Sequence, residues 1–395
     1  MMTYITPNEQ AGKTDSERIR AAVRQAAQTG VGRVRIPRLN ERTGEELWVI
    51  DEPIALPSDM EILIDDAHLM LAEGKYLNMF TIGAPGQPEE TRNVTLRGRG
   101  RATLDGGVYN GLSEKNSARN GLPHISKNTT LLFFNASDLL VENLRIIRQR
   151  WWAVTNIFVH HSVFRNLWFE ADYSRIDENG VHHPDELPRR YREIYVKNAD
   201  GIDLRIGCHD ILIENISGFT EDDSVALTAL GGFERALGYV VEGLSPDIHD
   251  VQIKGVATDT VCSNVRLLND NGNKLYNILV DGVVSPRRNE SYRAHSTVRI
   301  GDMVYADRHS VPGETHHITV RNVVSESTYG VSLCKALCDS VIENVTALEG
   351  YGVSTYKDYE ASLYRCRIGN ILSAAKGIAP IRYDGLTLHD CEVSE

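Results

Sequence analysis

The sequence predicts an all-β protein that winds as a parallel β-helix, a solenoid, with a short capping α-helix at its amino-terminal end. Short β-branched strands that end in an Asn or Gly turn recur along the chain, which is typical of a stacked repeat architecture. A single helical pattern precedes the first of these strands and differs from them in its apolar period.

The repeated unit is visible in segments such as "VENL" at 141, "IENI" at 213 and "IENV" at 342. Its period is about 22 to 27 residues, the length of one solenoid coil, and larger gaps predict insertions. We therefore expect one β-helix domain over residues 1–395, with loop insertions at about 172–190, 229–247 and 285–297. The turn residues of the unit are Asn143, Asn166, Asn215, Gly255, Gly282, Asn322 and Asn344.

The stretch "KTDSERIRAAVRQAAQTG" predicts a helix over about residues 14–30. Thr14 and Glu17 have the spacing of a capping box, and Gly30 is placed to end the helix. Its apolar residues fall on one face. Because the end coil of a solenoid exposes its core and its unpaired strand edges, we expect this helix to cover that end.

Composition bounds the possible partners of the chain. The 395 residues are 42% hydrophobic and 24% charged and carry a net charge of −12, which argues against nucleic acid or an anionic membrane as the main partner. The first residues show no basic segment followed by an apolar one, and no apolar run is long enough to span a bilayer. We expect a cytoplasmic protein without a cofactor, and the sequence leaves homo-oligomers open. The six cysteines form no C-x-x-C pair and are interpreted as reduced, buried thiols.

Two acidic groups stand in the stretch "NADGIDLRIGCHDILIENISGFTEDDSVAL". Asp222 follows Asp200 by about one coil, so stacked coils would bring the two carboxylates to the inter-strand spacing of about 4.8 Å. Carboxylates that close repel each other, which would raise the pKa of one of them. Asp is common in turns for structural reasons, but three acids on adjacent coils favour a functional role for Asp200, Asp222 and Asp223.

Aromatic and histidine doublets are the next candidates. Neighbours on a strand point to opposite faces, so we expect one of Trp151 and Trp152 to be buried and the other, beside Arg150, to stack on the ring of a bound ligand. Burial of both through a bulge is the alternative. The histidine doublets at 160–161, 182–183 and 316–317 should diverge for the same reason, and we expect no metal there.

Several segments resemble the polygalacturonase-like glycoside hydrolases of family 28, which are right-handed parallel β-helices. The similar segments are "GKTDSERIRAAVRQAAQTGVGRVRIP", "RNVTLRGRGRATLDGG", "RWWAVTNIFVHHSVFRNLWF", "NADGID" and "TEDDSVAL". The family's Asn-Thr-Asp motif is similar to Asn198, Ala199 and Asp200, and its Asp-Asp pair to Asp222 and Asp223. The resemblance implies an inverting hydrolase in which Asp222 is the general acid and Asp200 and Asp223 activate water.

Two other family motifs are altered. The Gly-His-Gly motif has no counterpart in "DTVCSNVRLL", residues 259–268, and the Arg-Ile-Lys motif is matched by Arg299 and Ile300, followed by Gly301. In the family the Arg-Ile-Lys positions bind the sugar carboxylate. Arg266 or Arg299 could supply part of that contact, because a guanidinium suits a carboxylate bidentately. We expect a substrate that contains uronic acid, such as a pectin-derived oligosaccharide.

Two alternatives use the same solenoid. A polysaccharide lyase would use Arg266 or Arg299 as base and calcium on the carboxylates. A carbohydrate-binding β-helix would only hydrogen-bond the sugar. For the hydrolase, the three insertions follow turns on or beside the coils of Asp200, Asp222 and Arg299, so we expect them to wall a pocket that accepts chain ends.

Overall fold

The protein is described from a computed structural model. The model describes residues 3–85, 89–107, 129–149, 151–171, 175–176, 182–183, 199–270, 272–287, 292–301 and 308–394. They fall into two compact units, Met1–Asp200 and Gly201–Glu395. Within these ranges no helix combines the length and the apolar character needed to cross a bilayer.

Strands dominate both units, and helices are few. The helical elements are a 3₁₀ turn (Pro7–Glu9), α1 (Asp15–Gln28) and α2 (Gly231–Ala236). The strands up to Asp200 are β1 (Arg33–Pro37), β2 (Trp48–Ile50), β3 (Ile54–Ala55), β4 (Met60–Asp65), β5 (His68–Leu71), β6 (Phe80–Ile82), β7 (Thr91–Arg99), β8 (Thr103–Asp105), β9 (Leu131–Ile147), β10 (Trp152–Glu170), β11 (Arg175–Ile176) and β12 (His182–His183). The later strands are β13 (Asp200–Leu204), β14 (His209–Thr220), β15 (Val225–Ala229), β16 (Ile248–Thr260), β17 (Ser263–Asn269), β18 (Leu275–Ser285), β19 (Ser296–Ile300), β20 (Thr315–Ser325), β21 (Tyr329–Leu333), β22 (Lys335–Cys338), β23 (Val341–Ala347), β24 (Tyr351–Thr355), β25 (Ala361–Tyr364), β26 (Arg367–Ser373), β27 (Leu386–His389) and β28 (Glu392–Ser394).

The predicted amino-terminal helix is present as α1. Thr14 is its N-cap, and the Thr14 hydroxyl accepts a hydrogen bond from the backbone N–H of Glu17 at 3.2 Å. The Glu17 carboxylate accepts from the N–H of Lys13 instead of that of Thr14, so the reciprocal half of the capping box is shifted by one residue. The Asp15 carboxylate accepts from the N–H of Val49 in β2 at 2.8 Å. This bond fixes the buried face of α1 on the first coil, as a cap requires.

In the first unit, parallel strands repeat an apolar residue at the same position of each coil. Ile62 lies opposite Leu96, Leu96 opposite Val141, and Val141 opposite Phe164. All four side chains are buried. Stacking of equivalent residues along the coils therefore builds the core, which is the packing that a repeat predicts.

The second unit has the same construction. Ile202 of β13 lies opposite Val225 of β15, and valines continue the column on β17, β19, β21 and β24. Every member of this column is fully buried. The fold is thus the predicted right-handed parallel β-helix with a short helical cap. The later members of the column are Val265, Val298, Val331 and Val353.

The turns between strands use the residues that the repeat predicts. All seven predicted turn residues have φ between 54° and 76°, in the left-handed region where Asn and Gly are favoured. The Asn side chains also bond along the solenoid: Asn166 donates to Asn143 at 2.9 Å in the first unit, and Asn344 donates to Asn322 at 3.3 Å in the second. The predicted turn positions are confirmed.

The tryptophan doublet differs from the expectation that one ring is exposed. Trp151 and Trp152 are 4% and 5% exposed, and their rings meet edge to face with centroids 6.2 Å apart. Trp151 has a φ of 53°. This left-handed residue interrupts the alternation of the strand, so both rings turn inward, which is the alternative that the sequence left open.

The histidine doublets at 160–161 and 316–317 also fail to diverge, and the side chains of the doublet at 182–183 lie outside the described part of the structure. The Nδ1 atoms of His160 and His161 are 2.7 Å apart, and those of His316 and His317 are 2.6 Å apart. His161 and His317 both have a positive φ near 50°. The predicted divergence is wrong because each second histidine occupies a left-handed turn, where strand alternation does not apply.

Candidate functional site

Asp222 and Asp223 lie in the short turn that joins β14 to β15. Their side chains are 8% and 1% exposed. The backbone carbonyl oxygen of Asp222 accepts hydrogen bonds from the Thr220 hydroxyl at 2.9 Å and from the Thr260 hydroxyl on the following coil. The turn is therefore held from two coils, and this fixes where the two carboxylates emerge.

The register between coils decides which residues share a level. Val225 follows Ile202, its partner on β13, by 23 residues, whereas Val265 follows Val225 by 40. Thr260 likewise lies opposite Thr220, so the matching positions two residues later are Asp222 and Cys262, as the count from the turn residues predicts. The prediction that Asp200 stacks on Asp222 is wrong, because it assumed an offset of 22 residues.

Asp200 is the last residue of the first unit. Its side chain is buried, and its backbone N–H donates to the carbonyl oxygen of Trp151 at 3.0 Å. This bond joins Asp200 to the residue that precedes β10. The backbone of Asp200 is therefore held by the tryptophan doublet.

Cys262 completes a cluster with the two carboxylates of the turn. Its Sγ atom and one carboxylate oxygen each from Asp222 and Asp223 lie within 4.8 Å of one another. Burial raises the pKa of the Cys262 thiol well above its ordinary value, and the charges of Asp222 and Asp223 raise it further against the opposing effect of Arg266 and Arg299. No role was predicted for Cys262 from the sequence, although it lies level with Asp222 on the neighbouring coil.

The spacing of these three ligand atoms would admit a divalent ion, but their chemistry does not favour one. A thiol binds a metal as its thiolate, and the thiol of Cys262 holds its proton strongly. The Asp223 carboxylate is already paired with a guanidinium, that of Arg266 at 3.0 Å. The cluster is better suited to holding and moving a proton than to holding a cation.

Two buried arginines flank the carboxylates on consecutive coils. Arg266 of β17 lies directly opposite Arg299 of β19, and the two are 8% and 4% exposed. Arg266 donates to Oδ2 of Asp223, and the guanidinium carbon of Arg299 lies 3.7 Å from the centre of the Tyr356 ring. Both guanidinium groups are thus fixed in place, one by an ion pair and one by a cation–π contact.

Further residues of the second unit adjoin this cluster, and none of them was among the residues predicted for the site. The Tyr356 hydroxyl lies 3.2 Å from Nδ1 of His295, and the backbone N–H of His295 donates to the carbonyl oxygen of Cys262 at 2.9 Å. Asp203 lies in the same column as Arg266 and Arg299, with Ala226 between Asp203 and Arg266. This column depends on coil register, which no local motif reports.

Part of one predicted insertion lies near Cys262. Residues 292–295 precede β19, where the Tyr292 hydroxyl donates to the Asp259 carboxylate at 2.6 Å and the N–H of His295 donates to the carbonyl oxygen of Cys262. The insertion predicted at about 229–247 contains α2 and follows β15. Arg150 and Asn198, as well as most of residues 172–190, lie outside the described residues.

The chain was compared with protein families, curated proteins and solved structures. No family model matches it, and no curated protein matches its sequence. Among solved structures, it is similar to a polygalacturonase from Erwinia carotovora ssp. carotovora, with 15% identity, a TM-score of 0.59 and 97% of each chain covered. It is also similar to an exopolygalacturonase from Thermotoga maritima, with 13% identity, a TM-score of 0.56, and 99% of this chain and 92% of the other covered.

A third solved structure of similar fold is the A-module of a mannuronan C-5 epimerase from Azotobacter vinelandii. The identity is 13%, the TM-score is 0.53, and each chain is fully covered. At such low identity these likenesses concern the fold and not the chemistry. The chain therefore has the parallel β-helix architecture of these proteins, and within it two buried carboxylates and two buried guanidinium groups lie beside the half-buried thiol of Cys262.

Proposed function

We propose that the chain is a glycoside hydrolase that cleaves O-glycosidic bonds in oligosaccharides containing uronic acid, such as pectin-derived fragments. The observation that carries the proposal is the pair of buried carboxylates, Asp222 and Asp223, beside the buried arginines 266 and 299. Glycoside hydrolysis requires a proton donor at the leaving oxygen and a carboxylate that activates water or attacks the sugar. The fold, which the chain has in common with two polygalacturonases, adds support.

The surroundings of the two carboxylates suggest different roles. Oδ2 of Asp223 accepts a hydrogen bond from Arg266 at 3.0 Å, and Oδ1 of Asp223 has no hydrogen-bond partner among the described residues. That oxygen is available to accept a proton from water. Asp222, which lies beside the neutral thiol of Cys262, is assigned as the general acid. In this mechanism Asp200 is a third carboxylate that helps to activate the water, and the reaction inverts the anomeric carbon.

The arginines support an acidic substrate. Two guanidinium groups on consecutive coils repel each other, and burial adds a desolvation cost. An anion bound at Arg299 would offset both effects, and a sugar carboxylate would do so bidentately. The names of the similar solved structures, two polygalacturonases and a mannuronan epimerase, are consistent with a substrate that contains uronic acid. Asn198, Arg150 and Trp152 remain proposed substrate contacts, and Trp152, with its buried ring, would form a wall and not an open stacking platform.

An exo mode of action is proposed from residues 292–295, which precede β19. They lie near Cys262 and are held there by the bonds of Tyr292 and His295. A segment fixed beside the carboxylates would obstruct a long polymer that runs past them. Short oligosaccharides and chain ends would still reach Asp222.

The lyase alternative is less well supported by the arginines. A lyase base must give up its proton before it can abstract one, yet Arg266 donates to a carboxylate and Arg299 stacks on Tyr356 as a cation. Both contacts stabilise the charged guanidinium. The two arginines therefore suit binding better than proton abstraction.

The test is an assay of released sugars on matched uronic-acid and neutral oligosaccharides, with products separated by size. We expect monosaccharide released stepwise from acidic substrates. Random cuts in the middle of a long polysaccharide would contradict the exo mode, and an unsaturated product that absorbs ultraviolet light would identify a lyase. Binding without turnover of any substrate would identify a carbohydrate-binding protein and overturn the proposal.

A further inference from the structure

The adjacent histidines 316 and 317 in β20 take no part in the proposed hydrolysis. The sequence predicted no metal at this doublet because its side chains were expected to diverge. Instead, the Nδ1 atoms of His316 and His317 are 2.6 Å apart, and the planes of the two rings meet at 80°. His316 is half-buried and His317 is exposed, so an ion could reach the pair from solvent.

The same position on the preceding coils shows what a turn of this kind requires. His249 lies two coils before His316 in the same column, and its Nδ1 atom is 2.7 Å from a carboxylate oxygen of Asp250. The residue after each histidine, Asp250 or His317, has a φ of 53°, as does Asn277 on the coil between them. After Gly, Asn and Asp adopt this conformation most readily. The turn alone therefore favours Asp or Asn, and His317 adds a ring nitrogen that the turn does not require.

The two kinds of partner place the ring proton differently. A carboxylate only accepts hydrogen bonds, so Asp250 favours a proton on Nδ1 of His249 and leaves that atom no lone pair. Between two neutral imidazoles, one Nδ1 donates and the other accepts, so one lone pair already points into the gap. The donor ring frees its own lone pair when its proton moves to Nε2, a change of tautomer that leaves both rings neutral. The pair at 316–317 can thus present two nitrogen lone pairs to one ion.

The gap between the two nitrogens suits a divalent ion with square-planar or octahedral ligands. Metal–imidazole bonds are about 2.0 to 2.1 Å long, so an ion bound to both Nδ1 atoms at their separation of 2.6 Å would hold them at an angle of about 80°. That angle is closer to about 90° than to the tetrahedral angle of about 109°. Cu²⁺ and Ni²⁺ favour such sites, and Cu²⁺ binds most tightly of the divalent first-row metals.

The surroundings of the pair leave the rest of the coordination sphere open. Among the described residues, no carboxylate, thiol or further imidazole atom forms a three-ligand group with these two nitrogens. The Asp339 carboxylate, on the next coil, accepts from Arg365 at 2.7 Å through each of its oxygens. Water would fill the remaining positions, so a bound ion would stay exchangeable.

The same convergence recurs in the first unit. The Nδ1 atoms of His160 and His161 are 2.7 Å apart, the ring planes meet at 73°, and His161 has a φ of 49°. The sequences around the two doublets, "VHHSV" and "THHIT", share only the histidines. The convergence of the nitrogens therefore follows from the left-handed second histidine and not from one local contact.

We propose that His316 and His317 chelate one divalent transition-metal ion through their Nδ1 atoms, with Cu²⁺ bound most tightly. Both ligands are imidazoles, which suit Cu²⁺ and Ni²⁺, whereas Ca²⁺ and Mg²⁺ require oxygen ligands. The site does not depend on the proposed hydrolysis, and its test needs no substrate.

The test is a titration of the full-length protein with Cu²⁺ at pH 7.5, with glycine as a competing chelator. Asn stands at the matching position of the preceding coil with the same φ, so His317→Asn should keep the turn and the melting temperature while removing the second imidazole. We expect Cu²⁺ to bind this site at least about tenfold more weakly in His317→Asn than in the wild type. The matched control His249→Gln should bind Cu²⁺ as the wild type does. Because the doublet at 160–161 has the same geometry, the variants are compared with one another and not by total stoichiometry.

Pulsed EPR of the Cu²⁺-loaded proteins identifies the ligands. The wild type should show signals from the remote nitrogens of coordinated imidazoles that are absent from His317→Asn and retained in His249→Gln. Titration with Ca²⁺ should show no difference between the wild type and His317→Asn. If His317→Asn unfolds, His316→Gln gives the same comparison. Equal Cu²⁺ affinity and an unchanged spectrum in a folded variant of the pair would overturn the inference.

Discussion

Two columns of charged residues in the second unit obey opposite rules. On the outer face, residues of alternating sign lie opposite one another on five consecutive coils, and all of them are half-exposed. In the site cluster, like charges are neighbours and all are buried. The first column, the charge ladder, consists of Glu214, Lys254, Asp281, Arg321 and Glu343; the site cluster consists of Asp222, Asp223, Arg266 and Arg299.

The difference follows from the geometry of a parallel β-helix. Equivalent positions of successive coils lie about 4.8 Å apart, so a repeated charge repels itself unless the sign alternates. The charge ladder alternates in sign, and within it Nε and Nη2 of Arg321 both donate to Oδ2 of Asp281. The site cluster instead places Arg266 opposite Arg299 in a buried environment, where charges are most costly. Among the described residues, the charge ladder avoids this cost by alternation whereas Arg266 and Arg299 incur it, which supports the proposed binding of an anionic substrate.

The sharpest way to test this contrast is to neutralise one carboxylate in each column. Asp222→Asn should reduce kcat by a factor of about 10² to 10⁴, because an amide retains the shape of the side chain but cannot donate the proton. Asp281→Asn on the charge ladder is the matched control and should leave kcat unchanged. Steady-state rates on an acidic oligosaccharide give the comparison, and wild-type turnover by Asp222→Asn would remove that residue from the mechanism.

A similar contrast is expected in stability. Arg266→Met leaves Asp223 charged and unpaired in the interior, which should lower the free energy of unfolding by about 3 to 5 kcal/mol. Arg321→Met removes an exposed partner of Asp281 and should cost roughly 0 to 1 kcal/mol. Denaturant unfolding of the two variants measures both values. The double variant Arg266→Met with Asp223→Asn should recover part of the loss, and equal losses for the two single variants would contradict the contrast.

Substrate binding should depend on the shape of the Arg299 side chain as well as on its charge. Arg299→Lys keeps the charge but loses the planar fork and the contact with the Tyr356 ring, so KM for an acidic oligosaccharide should rise roughly tenfold with a smaller change in kcat. Arg321→Lys is the control, with KM unchanged. If Arg299→Ala changes neither KM nor kcat, Arg299 does not bind the substrate, and its match to the family's Arg-Ile-Lys motif is accidental.

The sequence was sufficient for the fold because each coil repeats its own signal. The Asn and Gly turn residues, with positive φ at every predicted position, could be recognised from spacing alone. The capping helix could be recognised from Thr14, which accepts from the N–H of Glu17 as predicted. Such features are local, and local hydrogen bonds determine them.

The site was less predictable because it depends on register. A count of 22 residues aligned Asp200 with Asp222, whereas the strands pair residues 23 apart, since Ile202 lies opposite Val225. One residue of error is enough to move a side chain to the other face of a strand. Three other residues were misjudged or missed for related reasons. Trp151 has a positive φ that the sequence did not predict. The contacts of Cys262 and Tyr356 arise only when separate coils are stacked.

The smallest expected effect concerns acid and the charge ladder. Burial alone would raise the pKa of Asp281, but the hydrogen bonds from Asn322 and Arg321 and the charges of Arg321 and Lys254 outweigh it and hold the pKa below its ordinary value. A carboxyl group whose pKa is lower in the folded than in the unfolded chain stabilises the fold above the unfolded pKa. That contribution is lost as the pH falls through the folded pKa.

The stability advantage of the wild type over Asp281→Asn should therefore be constant from neutral pH down to about pH 4 and should shrink below it. Because the pair is exposed, the full advantage should be roughly 0 to 1 kcal/mol. Melting temperatures of both proteins from pH 7 to pH 2.5, each measured at low and high salt, test this expectation. The advantage should also fall at high salt, since exposed charges are screened. A difference between the two proteins that is the same at every pH would mean that Asp281 acts through its shape and its bond to Asn322, and the charge alternation would then contribute nothing to stability.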